Sequence, residues 1–90
     1  KADETQARTY LTAAAEAGLA PAQNRLANVY AEGAGVEKSE IEAAKWRLIA
    51  KAGGIRDESM DLLVEKLAAA DRTKAEQLAT DWRERKQLGQ

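Results

Sequence analysis

Cysteine and histidine are both absent from the sequence, and proline occurs once. Without cysteine the chain can form no disulfide, no thiolate metal site and no thiol nucleophile. Without histidine it also lacks the usual general base near neutral pH and the commonest zinc ligand. Most hydrolase and zinc-enzyme sites are therefore excluded. We predict a protein that is not an enzyme, with no catalytic residue, cofactor or metal.

Long apolar runs and blocks of like charge are also missing. No stretch reaches the roughly eighteen apolar residues that a membrane-spanning helix needs, so we predict no membrane insertion. The 14 basic and 15 acidic side chains are interleaved and give a net charge of −1, which does not favour a nucleic-acid partner. A chain of this length buries a small core, which neighbouring repeats or a partner would stabilise. It begins at Lys1 without methionine, so we expect that it was cut from a longer protein.

Alanine, leucine, lysine, glutamate and arginine dominate the composition, and β-branched residues never alternate over the length of a strand. This pattern predicts an all-α chain with five helices. Glycines end three of them, Ser39 and Glu42 match a capping box, and Asp57 can cap a further helix. The predicted helices run from about Asp3 to Ala17, Pro21 to Glu32, Ser39 to Ala52, Asp57 to Ala68 and Asp71 to Gln87.

The most informative feature is an internal repeat with a period of 36 residues. The period pairs residues of the same class at positions where helices pack or end. These pairs are Ala7 with Ala43, Tyr10 with Trp46, Ala14 with Ala50, Gly18 with Gly54, and Leu26 with Leu62. A period in the thirties with two helices per unit is typical of a helical solenoid, in which each unit stacks on its neighbours.

The apolar patterns of the third and fifth helices differ in a way that agrees with a solenoid. The third helix is apolar over too broad a surface for one face, so we expect it to be covered on two sides. The fifth has one narrow stripe, Ala75, Leu78, Ala79 and Trp82, which is typical of a terminal capping helix. Trp46 and Trp82 could stack on a ligand, but their alanine-rich stripes favour a core position.

The first copy carries a recognisable pattern of alanine, aromatic, alanine pair and glycine in ARTYLTAAAEAG from Ala7. It is followed by A-Q-x-x-L-x-x-x-Y-x-x-G-x-G-V, matched by Ala22, Gln23, Leu26, Tyr30, Gly33, Gly35 and Val36. Residues 5 to 67 therefore resemble the Sel-one-like repeats, relatives of the tetratricopeptide repeats. The second copy is degenerate, because it lacks the G-x-G-V turn.

The resemblance implies a right-handed α-α superhelix of antiparallel helix pairs within a single domain, residues 1–90. Residues 1–18 would be the second helix of one repeat, 19–54 a complete repeat, and 55–90 a degenerate repeat with its capping helix. It also implies an adaptor that binds a protein or peptide partner. Bacterial members of this family are often exported or periplasmic, so the resemblance implies a bacterial, exported protein, whereas the sequence itself gives no compartment.

By the same resemblance, outward positions on the first helix of each unit line a concave surface that binds the partner. In the complete repeat these are Asn24, Asn28 and Glu32. The equivalent positions 36 residues further on are Met60, Val64 and Ala68, which predicts an apolar floor beside a polar rim. Side-chain amides can offer donors and acceptors to a peptide backbone. A solvated helix face explains the polar residues equally well.

Three other clusters admit a functional interpretation that we consider weaker. The turn from Gly33 to Val36 lacks the Lys-Ser/Thr of a phosphate-binding loop and lies between helices, which favours a hairpin turn. Glu32 and Glu37 flank that turn and could do acid–base work, but the sequence shows neither a pocket nor an apolar environment around either carboxylate. The cluster Arg83, Arg85 and Lys86 is interrupted by acidic residues, and Asp81 can pair with Arg85 one turn away.

Two alternatives to partner binding on the concave surface remain open. The chain could be a purely structural C-terminal cap of a longer solenoid whose binding surface lies elsewhere. It could also self-associate through the first helix, because fewer than three full repeats leave the side that carries Tyr10 and Leu11 uncovered.

Overall fold

The computed structural model describes the backbone of residues 2 to 89 and the side chains of residues 6 to 89. Lys1 and Gln90, the ends of the predicted domain, lie outside the described residues. The described part forms five α-helices and contains no strand, which confirms the predicted all-α class. The helices are α1 (Ala2–Glu16), α2 (Ala20–Glu32), α3 (Glu40–Ala52), α4 (Glu58–Lys66) and α5 (Ala69–Gln87). None of these five combines the length and apolar character that crossing a bilayer requires.

The capping box predicted at the start of α3 is only half formed. The Ser39 hydroxyl accepts a hydrogen bond from the Glu42 N–H at 3.1 Å, as a capping residue should. The reciprocal half of the predicted capping box is not formed. The Ser39 N–H donates to the Tyr30 carbonyl at 3.1 Å instead. The Glu42 carboxylate lies 3.7 Å from the Lys45 ammonium.

The boundary between α4 and α5 differs from the prediction by two residues on each side. The fourth helix ends at Lys66, and Leu67 and Ala68 are extended, with ψ angles of 148° and 147°. The helical backbone is interrupted only at this pair, and α5 starts at Ala69 instead of Asp71. Leu67 thereby packs against a small buried cluster of Ala44, Val64 and Ala75.

The ends of α1 and α3 repeat one another in backbone detail. Gly18 and Gly54, 36 positions apart, both adopt the left-handed conformation, with φ angles of 101° and 95°. The residue after each glycine bonds back to an alanine carbonyl: Leu19 N–H to Ala14 at 3.2 Å, and Ile55 N–H to Ala50 at 3.1 Å. The internal repeat is therefore visible as a repeated helix-ending turn.

The core is organised around α3, which packs against α2, α5 and α4. Its buried residues lie on more than one face: Ala43, Ala44, Trp46, Arg47, Ile49 and Ala50. This confirms that the third helix is covered on two sides. Three of the four residues of the predicted narrow stripe on α5 are buried, namely Ala75, Ala79 and Trp82, and the fourth, Leu78, is half-buried.

The two tryptophans meet in the core, as predicted. Trp46 on α3 and Trp82 on α5 are 2% and 7% exposed, and their rings pack edge to face with centroids 5.8 Å apart. The Trp82 Nε1–H donates to the Glu16 carboxylate at 2.9 Å, which ties α5 to the end of α1. Trp82 follows Trp46 by 36 positions, so the aromatic spacing extends to the last helix.

Equivalent positions of the repeat do not all occupy equivalent environments. Tyr10, the counterpart of buried Trp46, is 82% exposed. Leu26 is 1% exposed, whereas its counterpart Leu62 is 53% exposed. The relation of one unit to the next is thus irregular in these five helices, and the right-handed superhelix stays a prediction.

Candidate functional site

The largest polar feature of the interior surrounds Arg47, which is 1% exposed in the middle of α3. Its guanidinium makes one hydrogen bond through each of its three nitrogens. Nε donates to Asp61 Oδ1 at 2.7 Å, Nη1 to Asn24 Oδ1 at 2.7 Å, and Nη2 to the Ile55 carbonyl at 2.9 Å. A buried charge is tolerated when it is paired and hydrogen-bonded in this way.

Asp57 caps α4 and receives hydrogen bonds from two helices. Its Oδ1 accepts from the Met60 N–H and the Ser59 hydroxyl, both at 3.1 Å. Its Oδ2 accepts from the amides of Asn24 at 2.8 Å and Asn28 at 3.2 Å. Burial alone would raise the pKa of Asp57, but these hydrogen bonds favour the carboxylate and lower the pKa from 3.8 to about 2.

Asp61 is the ion-pair partner of Arg47. The hydrogen bond from Arg47 lowers the pKa of this carboxyl below its usual value of 3.8, against the opposing effect of burial. The Lys51 ammonium lies 4.0 Å from Asp61 Oδ2 and adds to the stabilisation of the charged form. About 30% of the Asp61 side chain is exposed, so one side of the ion pair faces solvent.

Together these residues form the Arg47 network, defined as Asn24, Asn28, Arg47, Asp57 and Asp61. It joins α2, α3 and α4 through hydrogen bonds that span 14 to 33 positions in the chain. Every nitrogen of the guanidinium and both oxygens of Asp57 have partners. The network therefore holds the three helices in one register and fixes the orientation of the side chains at its surface.

The three polar residues predicted to bind a partner differ in how far the Arg47 network already uses their hydrogen-bonding groups. Both ends of the Asn24 amide are used inside the protein, one by Arg47 and one by Asp57. Asn28 is half-buried, and its Nδ2 donates to the Asn24 carbonyl at 2.9 Å and to Asp57. No group among the described residues donates to Asn28 Oδ1. Glu32, at the end of α2, is exposed.

Met60 and Val64 do not form an open apolar floor, contrary to the prediction. They are 4% and 8% exposed and belong to the core. The error came from transferring positions by the repeat period alone. The face that α4 turns inward is set by its own apolar residues, and Leu62, which the period places inside, lies outside at 53% exposure.

Sequence analysis missed Arg47 altogether and identified Asp57 only as a helix cap. Two signals could have found the network. Arg47 is a charged residue between Trp46 and Leu48 in a helix predicted to be covered on two sides. The repeat also pairs it with Leu11, so a charge replaces an apolar residue at a packing position.

Two further surfaces carry residues that the sequence singled out. An apolar depression of about 330 Å³ on α1 is lined by Ala7, Tyr10, Leu11 and Ala14, with Arg25 from α2. It coincides with the side of α1 where self-association is predicted. On α5 the cluster of Arg83, Arg85 and Lys86 is exposed. Asp81 accepts a hydrogen bond from Gln77 at 3.4 Å and does not pair with Arg85.

Comparisons with protein-family models, with curated proteins and with solved structures find no match. The resemblance to the Sel-one-like repeats therefore depends on the residues of this chain alone. Among the described side chains, those of residues 6 to 89, no three acidic groups cluster as they would around a metal ion.

Proposed function

We propose that this chain is a protein-binding module of the Sel-one-like repeat type, which holds an extended segment of a protein or peptide along α2. Two features of the fold support the proposal. Each of the helices α1 to α3 packs on the next one along the chain, and a helix-ending turn recurs after 36 residues. Repeats of this kind present long helical surfaces, and many helical-repeat proteins use such surfaces to bind other macromolecules.

The observation that carries the proposal is the state of Asn28. Its amide nitrogen is held by the Asn24 carbonyl and by Asp57, so the side chain has one orientation before a partner arrives. Its Oδ1 has no donor among the described residues and is available to a peptide N–H. An acceptor that is already oriented loses little conformational entropy on binding.

Glu32 extends the same surface by one helical turn, since it lies four positions after Asn28. Its carboxylate is exposed and takes part in no ion pair among the described residues. It can accept a hydrogen bond from a lysine or arginine of the bound segment. The partner is therefore an extended peptide with backbone N–H groups opposite Asn28 and a basic side chain opposite Glu32.

A structural cap is the second candidate function, and the fifth helix favours it. The buried residues of α5 are Ala75, Ala79 and Trp82, and most of its other side chains are exposed and polar or charged. A helix with one apolar stripe suits the end of a solenoid, because nothing needs to cover its outer side.

Peptide selection on the immobilised wild-type chain tests the first candidate. Selected peptides are synthesised, and their affinities are measured by calorimetry for the wild type, Glu32→Ala and Arg83→Ala. Loss of a hydrogen bond to a charged group costs about 1.5 to 3 kcal/mol, so Glu32→Ala should weaken binding by about tenfold or more. Arg83→Ala is the control, because Arg83 is exposed on the outer helix. Neither change should alter unfolding by more than about 0.5 kcal/mol.

Asn28→Ala should weaken binding too, but its effect on folding must be measured beside it. We expected from the sequence that this amide would cost the fold little, and the structure corrects that expectation because Asn28 is half-buried and bonded to Asp57. If Arg83→Ala reduces affinity while Glu32→Ala and Asn28→Ala do not, the α2 surface is not the binding site. If no peptide is selected, the structural cap becomes the better account.

A further inference from the structure

An open polar cavity of about 650 Å³ lies between α1 and the turn that joins α2 to α3. The side chains that can carry charge or hydrogen bonds around it are those of Arg8, Tyr30, Glu37, Lys38 and Ser39. Arg8 comes from α1 and the others from the end of α2 and the turn. The cavity is separate from the Arg47 network, with which it shares no residue.

The residues one repeat period further along the chain are apolar at two of these positions. Moving 36 positions along the chain takes Arg8 to Ala44 and Ser39 to Ala75. Those two alanines are both fully buried and pack in one apolar cluster with Val64. These two positions thus carry methyl groups in the degenerate unit, and a guanidinium and a hydroxyl in the complete unit.

The Arg8 guanidinium is incompletely satisfied. Its Nε is shielded from solvent and has no hydrogen-bond partner among the described residues. No ion pair with Glu37 or any other described acid holds the side chain in place. A buried donor without a partner is costly, and each such group in a native protein calls for an explanation. Arg8 also lines the open cavity, where a bound acceptor can pair with its positive charge.

We propose that this cavity binds a carboxylate group of a peptide, either its C-terminal carboxylate or an acidic side chain. The planar guanidinium of Arg8, a residue that lines the cavity, matches the geometry of a carboxylate through parallel N–H donors. Lys38 adds a second positive charge, and the hydroxyls of Tyr30 and Ser39 add donors. Glu37 is the opposing charge, and it is exposed to solvent, which screens its repulsion.

This inference depends on the proposed function only in taking the carboxylate to come from a peptide. The cavity and the α2 surface are tested by separate experiments. A free inorganic phosphate offers the same oxyanion chemistry from another source. The peptide is favoured because a cavity of about 650 Å³ is far larger than a single anion and is open at the surface.

Nuclear magnetic resonance of the full chain tests the inference at the atom concerned. The Arg8 Nε–H signal and the Gly35 and Val36 amides are followed during titration with an acetylated tripeptide that ends in a free carboxylate. Parallel titrations use the same tripeptide with an amidated end, sodium acetate, and inorganic phosphate. We expect saturable shifts with the free-carboxylate tripeptide and with acetate, and none with the amidated tripeptide.

Variants separate a built site from a general attraction of anions. Arg8→Gln should weaken binding of the free-carboxylate tripeptide by at least tenfold, as followed on the Gly35 and Val36 amides. Arg83→Gln, on the exposed face of α5, should leave it unchanged. Lys38→Gln is a milder variant on an exposed side chain, and it should weaken binding several-fold with an unchanged melting temperature. Circular dichroism confirms that each variant is folded.

Several outcomes would overturn the inference. Absence of saturable shifts, or equal shifts in Arg8→Gln and the wild type, would show that Arg8 binds no anion. Binding of phosphate without the tripeptide would show that the site does not take a peptide carboxylate. If instead the α2 surface selects no peptide while the tripeptide still shifts Arg8, only the proposed function of α2 fails.

Discussion

The Arg47 network should be the most sensitive polar element of this protein to mutation. Arg47→Ala removes three hydrogen bonds at once and leaves Asp61 Oδ1, Asn24 Oδ1 and the Ile55 carbonyl without the donor they have in the wild type. Breaking a buried ion pair by deleting one partner costs about 3 to 5 kcal/mol. Asp61 is about 30% exposed and can be hydrated in part, so the lower end of this range applies. The free energy of unfolding of a domain of this size is roughly 5 to 13 kcal/mol in total. The variant should therefore be severely destabilised.

A double-mutant cycle separates the ion pair from the other losses. Urea unfolding of Arg47→Ala, Asp61→Ala and the double variant should give a coupling energy of about 1.5 to 3 kcal/mol, since the donor and acceptor are charged and 2.7 Å apart. The matched control is the pair of Arg56 and Glu58, which lie 3.7 Å apart with side chains 90% and 88% exposed. Its coupling energy should be close to zero because solvent screens both charges.

Two outcomes would contradict a stabilising role for the Arg47 network. If Arg47 and Asp61 show no more coupling than Arg56 and Glu58, burial does not strengthen the ion pair, and the network is not a clamp between helices. If Arg47→Leu, which restores the residue type of Leu11 in the first copy, is more stable than the wild type, the network is costly to the fold. That result would favour a binding role for these polar groups over a structural one.

Two further predictions concern acid unfolding and the aromatic core. The pKa of Asp57 is depressed in the folded state, so its contribution to stability is present above pH 4 and should be lost as the pH falls toward about 2. Urea unfolding at several pH values should show this loss, which is at most about 2 kcal/mol because solvent screening reduces it. In Asp57→Asn the free energy of unfolding should depend less on pH over this range. Trp46→Ala should cost about 3 to 5 kcal/mol by thermal unfolding, because it leaves a cavity against Trp82. Unchanged stability in that variant would show that Trp46 is not a core residue.

Features that depend on a few neighbouring residues could be predicted from the sequence. The caps at Ser39 and Asp57 and the left-handed Gly18 are local, because the interacting atoms lie within a few positions. The burial of Trp46 was also predictable, since its helix is apolar on two sides. The half-formed capping box shows the limit of such signals, because the Ser39 N–H found a partner on the preceding helix.

The sequence by itself determined that the chain is all-α, that it has five helices and where most of them end, because helix propensity, capping and glycine turns act over one or two turns of chain. The tertiary structure alone decided which side of each helix faces inward. Met60 and Val64 are buried, Leu62 is exposed, and Arg47 is enclosed, because α2, α3 and α4 meet at angles that a repeat period does not specify. Asn24 reaches Asp57 across 33 positions for the same reason. Hydrogen bonds of that range form only once the helices have packed, so their partners depend on the fold and cannot be identified from spacing in the sequence.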